Sequence, residues 1–260
     1  MKTIQFFDTH CHLFMNPLRR DTEGVLHRAR TAGVTRLIVP SVEAESWDQV
    51  KALAKRSRIY SALGIHPWCA DDELDTKYLE NELIASSSVA VGEIGLDYKV
   101  EIPDRNTQIR VFRQQLDVAL KLDLAVILHC RGAFEEILSI LSEDSYRGKI
   151  RGVVHSFSRG TQLARRFLDL GFFLAFGGAV TRLRAKRARK SAVFIPSDRI
   201  LLETDAPSIG MEGLAQGEVE PAHVTKVAHA IAELRETSVE DIAGITWENA
   251  CKLFGIDSDD

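Results

Sequence analysis

Two histidines flank a cysteine, His10-Cys11-His12, at the end of the chain's first apolar run. In an extended strand residues i and i+2 project to one face, so both imidazoles leave one side and Cys11 the other. Asp8 shares the parity of the histidines. Glu93 lies in Val91-Gly92-Glu93-Ile94-Gly95-Leu96-Asp97, a small, apolar stretch where a carboxylate without a partner would be costly. Its partner is either a metal cation or an interior Arg or Lys, and the stretch alone leaves both open. His129-Cys130-Arg131 and Val153-Val154-His155 each add an imidazole at the end of a further run, and Leu201–Pro207 puts Glu203 and Asp205 on one face. Any one of these histidines alone is more often structural than a ligand. Four histidines with Glu93 and Asp205, however, form the nitrogen and oxygen set that suits zinc or another first-row ion. Two divalent ions acidify a water between them and stabilise the oxygens of a phosphoryl or acyl centre, so the implied chemistry is hydrolysis. Asp205, the outermost carboxylate, is placed to take the proton of that water and pass it to the leaving group.

These residues must be delivered by several separate elements. Eight β-rich runs recur: Ile4–Cys11, Arg36–Val42, Ile59–His66, Val89–Asp97, Ala125–Cys130, Gly152–Phe157, Phe172–Val180 and Ile200–Asp205. Segments of helical character, among them Asp21–Ala32, Ala44–Lys55, Arg105–Leu122, Phe134–Leu141 and Gln162–Leu170, lie between them. Runs such as AVILHC and RILLETD are almost continuously apolar, as parallel strands covered by helices are. No glycine-rich phosphate loop follows any run, and ionisable residues sit at the ends of six of them. Catalytic groups at many strand ends mark a (β/α)8 TIM barrel, for which 260 residues is an ordinary length. We therefore expect one domain over residues 1–260, with two further helices, Pro221–Glu236 and Ser238–Phe254, packed across its outside.

The formal net charge of −4 gives no global attraction for polyanions, which disfavours a strongly basic binding protein. Four scattered cysteines without a CxxC pair argue against a zinc ribbon or a disulfide framework and fit a reducing compartment. The opening MKTIQFFDTHCHL is interrupted by Asp8, His10 and His12 too early for a signal peptide or a membrane span. The expectation is a cytoplasmic monomer without membrane attachment.

In order and spacing, FDTHCHL, Gly64-Ile65-His66-Pro67, Gly92–Tyr98, His129–Arg131, His155–Ser158, Glu203–Pro207 and Asn249–Phe254 resemble the TatD family of metal-dependent deoxyribonucleases, a branch of the amidohydrolase superfamily. The resemblance implies one ion held by His10, His12 and Asp205, a second by His129 and His155, and Glu93 bridging both. It also implies that His66, otherwise readable as a capped loop histidine, faces the substrate. Arg131 could fork onto a substrate phosphate or neutralise Glu203 or Asp97. Asp8 and Glu203 fit better as groups orienting ligand imidazoles through hydrogen bonds than as ligands. The chain departs from the family pattern in Trp68 after GIHP, in Cys130, in HSFSR at His155–Arg159 and in Ser208 after Glu203–Pro207. These changes touch the rim and leave the substrate more open than the chemistry.

The leading expectation is a deoxyribonuclease that uses a metal-bound hydroxide with Asp205 as proton acceptor. Zinc, manganese or magnesium would all suit the site. The same pair of ions acting on a small phosphoester or amide is the alternative, and a non-catalytic metal-binding scaffold is a third reading. The basic run Arg182–Lys190 could carry phosphate backbone or be a solvated helix.

Overall fold

Each strand's apolar, β-branched run pairs in parallel with the next, giving one eight-stranded sheet in the order β1 to β8. The structure, a computed structural model, describes residues 4–71 and 74–258. The strands are β1 (Phe6–Asp8), β2 (Val34–Pro40), β3 (Ile59–Leu63), β4 (Ala90–Asp97), β5 (Ala125–Arg131), β6 (Gly152–Val154), β7 (Phe173–Phe176) and β8 (Ile200–Leu202). Beyond the last residue of β8, Thr9 N donates to Leu202 O, Asp205 N to His10 O and His12 N to Ala206 O, which joins β8 to β1. The result is a (β/α)8 barrel, as the alternation predicts.

Among the described residues seven α-helices follow the strands in turn: α1 (Thr22–Thr31), α2 (Trp47–Ala54), α3 (Thr76–Ala85), α4 (Arg105–Leu122), α5 (Phe134–Leu141), α6 (Thr161–Asp169) and α7 (Lys186–Phe194). Two more, α8 (Val224–Arg235) and α9 (Val239–Phe254), close the chain. Side-chain caps fix several starts: Asp104 accepts from Asn106 N and Thr107 N, and Ser238 from Asp241 N. Each such cap stabilises its helix by about 1 kcal/mol. All four cysteines are free, and no helix among the described residues is long and apolar enough to cross a membrane.

Alternate strand residues fill the lumen: Phe7, Ile38, Ala62, Ala90, Ala125, Ile127, Val153, Phe173, Ala175 and Leu201 form one buried cluster. Ala250, Leu253 and Phe254 of α9 belong to that same cluster. The C-terminal turns of α9 therefore cover one end of the lumen, while its Ile242 and Ala243 join the outer core beside Val224, Val227 and Ile231 of α8, the placement expected for both helices. The reason is physical: the small residues Ala62, Ala90 and Ala125 leave an apolar opening that α9 fills, each buried Leu or Phe contributing roughly 1.5–3 kcal/mol. Beneath it Arg36 is wholly buried and stacks on the Trp247 ring, with 4.5 Å from guanidinium carbon to ring centroid.

Candidate metal centre

Strands β3, β5 and β6 keep strict alternation, so the residues that follow their lumen positions point into the barrel's C-terminal mouth. Tyr60, Ala62 and Gly64 lead to His66; Ala125 and Ile127 lead to His129; and Val153 leads to His155. Strands β1 and β4 break the rule. Phe7 faces the lumen, and the residues after Asp8, held by single backbone bonds to Leu202, Ile38 and Ala206 rather than by a regular ladder, bring His10 and His12 to the cluster as well. On β4 the register with β5 shifts between Val91 and Ile94, and that bulge turns Glu93 inward while Val91 and Ile94 stay in the outer core. Gly95 has φ +145° and a Cβ there would stand 1.9 Å from His129 O, so no other residue lets β4 approach β5 this closely.

Helix α4 holds two of these strand ends through buried glutamines. Gln108 accepts from Asp97 N and donates to Asp97 O, and Gln115 makes the same pair of bonds with Ile65, next to His66. Ser41 Oγ bonds both N and O of Gly64, and Ser41 O accepts from Glu93 N.

Glu93 is the hub. Its Oε1 lies 2.7 Å from His155 Nε2, 2.9 Å from His129 Nδ1 and 3.5 Å from His66 Nε2, while Oε2 lies 3.3 Å from His10 Nε2 and 3.5 Å from His12 Nε2. Asp205 Oδ1 stands 3.4 Å from His12 Nε2 and 3.9 Å from His10 Nε2. Asp205 itself has φ +51°, a left-handed conformation that aspartate tolerates better than most residues.

Proton bookkeeping tests whether this set fits a cation. His12 Nδ1 faces Pro40 O at 3.2 Å, so it carries the proton and leaves Nε2 as a lone pair. That lone pair meets His10 Nε2 at 3.2 Å and two carboxylate oxygens. His129 Nε2 faces Asp97 Oδ2 at 3.2 Å, which by the same logic turns the Nδ1 lone pair toward Glu93. Converging acceptors of this kind need either extra protons or cations between them. Burial alone would depress the imidazoles, yet carboxylate contacts lift His12 and His129 above the ordinary value, and Glu93 with Glu203 lifts His155 well above it. Burial by itself would raise Glu93 and Asp205, but the surrounding imidazoles bring both down, Glu93 far down. The donor set fits divalent cations: His10, His12 and Asp205 offer atoms within 4.8 Å of one another, as do His10, Glu93 and His155.

His66, Glu93 and His129 form a third such triplet, but His66 differs chemically. Its Nδ1 accepts from Trp68 N at 3.2 Å, and burial pulls its pKa down to about 4. His66 is then a neutral imidazole with the proton on Nε2, a hydrogen-bond donor facing the cluster. This suits the substrate-facing role implied by the resemblance better than ligation.

The supporting residues depart from expectation in part. Among the described residues no imidazole nitrogen hydrogen-bonds to Asp8. Instead it accepts from His10 N at 3.3 Å and from Thr204 N and Oγ1 at 2.9 and 2.6 Å, and burial pushes it up to about 8. The parity argument fails there because the regular strand ends at Asp8. Glu203 lies 3.7 Å from His155 Nδ1 and accepts from Ser156 N, steadying His155 chiefly through the following peptide. Arg131 lines the cavity with its side chain half-exposed and lies 3.7 Å from Asp97 Oδ2.

Asp97 is the residue that sequence reasoning places only as a possible partner of Arg131. Fully buried, it accepts from His129 Nε2 and from Trp68 Nε1, the latter at 2.7 Å. Burial would raise its pKa, but these donors and Lys99 N hold it at about 2. The available signal is its place four residues after Glu93, on the strand beside His129. Asp97→Asn is expected to weaken cation binding by about 10–100-fold, as loss of a histidine's outer partner does. A manganese titration of activity checks this: the midpoint should move while the saturated rate largely recovers, and an unmoved midpoint would remove Asp97 from the site.

Comparison with known proteins agrees with the geometry. The family model described as TatD related DNase matches residues 7–255. The chain belongs to the TatD family. It is 36% identical to the uncharacterized metal-dependent hydrolase YabD of Bacillus subtilis over 96% of this chain and 99% of that one. It is also 36% identical to the uncharacterized metal-dependent hydrolase YjjV of Escherichia coli over 97% and 98% of the two chains. The crystal structure of YjjV, a TatD homolog, superposes with a TM-score of 0.91 at 35% identity, covering 98% of this chain and all of that one.

Proposed function

We propose that this TatD-family chain is a metal-dependent hydrolase that cleaves phosphodiester bonds of DNA through a pair of divalent cations, zinc, manganese or magnesium. One cation would be held by His10, His12 and Asp205, the other by His129 and His155, with Glu93 between them. The observation that carries this reading is the division of the Glu93 carboxylate, one oxygen toward His10 and His12 and the other toward His129 and His155. The names of the relatives and of the family model support it.

When bound, the cations lower the pKa of water and offset negative charge at the reacting phosphorus. The residues do the rest. Asp205, ionised and at the cavity surface, accepts the proton of the attacking water. His66 Nε2–H donates to a phosphoryl oxygen. Arg131 and Arg159, which line the same cavity, bind the phosphate. Trp68, half exposed beside His66 and fixed by its bond to Asp97, offers a face for a base.

One feature favours the small-molecule alternative: the cavity encloses about 690 Å³, within the range of ordinary metabolite sites. The two readings separate in an assay of single- and double-stranded DNA beside an aryl phosphodiester, with each metal supplied in turn. DNA cleavage is expected, with Trp68→Ala raising KM for single strands by roughly 5–150-fold, the worth of one stacked base. Turnover of the aryl ester without any DNA cleavage would reject DNA and leave a small phosphoester.

A further inference from the structure

The proposed hydrolysis does not use the molecule's densest positive charge. Arg182, Arg184, Lys186, Arg187, Arg189 and Lys190 fall within nine residues, in a chain whose net charge is −4. Arg182 and Arg184 lie on the connection after β7, and the others on α7. Arg184, Lys186, Arg187 and Lys190 are exposed. Among the described residues no carboxylate pairs with any of the six, whereas Arg28, Lys51, Arg56, Arg113, Lys121, Arg151 and Arg166 each have one. Arg189 is spent on the backbone, donating to Val180 O. All six cations are therefore left without a paired carboxylate among the described residues, and five of them without the backbone bond that holds Arg189.

Their place in the barrel matters as much as their number. A connection leaving the end of a strand starts on the same face as the histidine cluster. Thr181 Oγ1 accepts from Glu212 N at 2.9 Å, tying this connection to the loop after β8, whose Ser208, Ile209 and Gln216 line the cavity. Ser191 Oγ on α7 donates to Arg159 O at 2.7 Å, tying the helix to the segment that brings Arg159 into the cavity wall. The basic run thus sits on elements hydrogen-bonded to two segments that line the cavity, one of which carries Arg159. The cluster lies deep, with His10 and Glu93 almost wholly buried, so a polymer must enter as a strand end or an unstacked strand.

We propose that Arg182–Ala185 and α7 form a track for the sugar-phosphate backbone of single-stranded nucleic acid, holding the part of the strand that lies outside the cavity. The inference rests on the phosphodiesterase reading and extends it, making length of strand part of substrate recognition. Contacts of this kind add affinity without reading sequence, and they weaken as added salt reduces the gain from counterion release.

The test compares the full chain with a Lys186→Ser/Arg187→Ser/Lys190→Ser variant on oligothymidines of increasing length, from a dinucleotide upward. Unchanged thermal unfolding would show that the exposed substitutions leave the fold intact. The wild type is expected to gain in kcat/KM with length and the variant to lose that gain, by about tenfold on the longest strand at low salt. The slope of log affinity against log salt should become shallower by about 2, three cations at roughly 0.7 each. Equal length dependence in the two proteins overturns the track. If neither protein cuts any oligonucleotide, anisotropy with the labelled long strand separates the two claims. Weaker binding by the variant supports the track while the hydrolytic reading fails, and equal or absent binding overturns it. Variant-sensitive binding to phosphatidylserine vesicles without binding to the strand also overturns it, in favour of a membrane surface.

Discussion

Glu93→Gln is expected to reduce hydrolysis by more than the roughly 10–100-fold that loss of an outer partner costs a metal site. Glutamine keeps the shape but not the charge, and all five imidazoles of the cluster stand within 3.5 Å of this carboxylate. Two cations held in one small cavity, as proposed, would repel each other, and a neutral amide would remove the anion that offsets that repulsion. The same change should silence the protein's thermal response to metal. A cation at 100 times its Kd stabilises the wild type by about 2.7 kcal/mol. For a chain of this size that is a rise of about 5–11 °C in Tm, at roughly 2–4 °C per kcal/mol. Thermal scans with chelator and with added manganese, beside rates on an aryl phosphodiester, check both parts. A variant with near wild-type turnover and an undiminished Tm rise would show that Glu93 is not the hub.

Asp205→Asn is expected to lower kcat by about 10²–10⁴ at saturating metal, the worth of a positioned proton acceptor. Asparagine is the informative choice because Asp205 sits at φ +51°, where Asn is nearly as well tolerated and alanine would add strain of about 1 kcal/mol or more. The backbone bond from Asp205 N to His10 O and the turn through Ser208 N survive the change, so the loss reports chemistry. Single-turnover rates on excess enzyme measure it. A kcat within threefold of wild type would assign the proton to another group.

Much of this centre is legible in the amino-acid sequence, and the reasons differ by strand. On β5 and β6 the apolar alternation runs unbroken into His129 and His155, so counting by two puts both at the lumen's mouth, where the structure has them. On β4 the bulge between Val91 and Ile94 decides which way Glu93 points, and no sequence pattern reveals a one-residue shift in register. What marks Glu93 in the sequence is its cost, a carboxylate in an apolar strand. Asp8 shows the opposite failure: its parity matches His10, yet the regular strand stops at that residue and its carboxyl turns to Thr204. Helix α9 is legible as a helix, but amphipathic spacing cannot say which apolar surface it covers. That depends on the small side chains Ala62, Ala90 and Ala125, which leave the lumen open at one end. The Asp97 link between Trp68 and His129 stays hidden in the sequence because it joins three strand ends whose proximity only the closed barrel creates.

The most direct test of a paired-cation centre organised by Glu93 is anomalous scattering from crystals soaked with manganese. Two peaks per chain are expected on opposite sides of the Glu93 carboxylate, one beside His10, His12 and Asp205 and the other beside His129 and His155. A single peak, or none near Glu93, would contradict the paired centre.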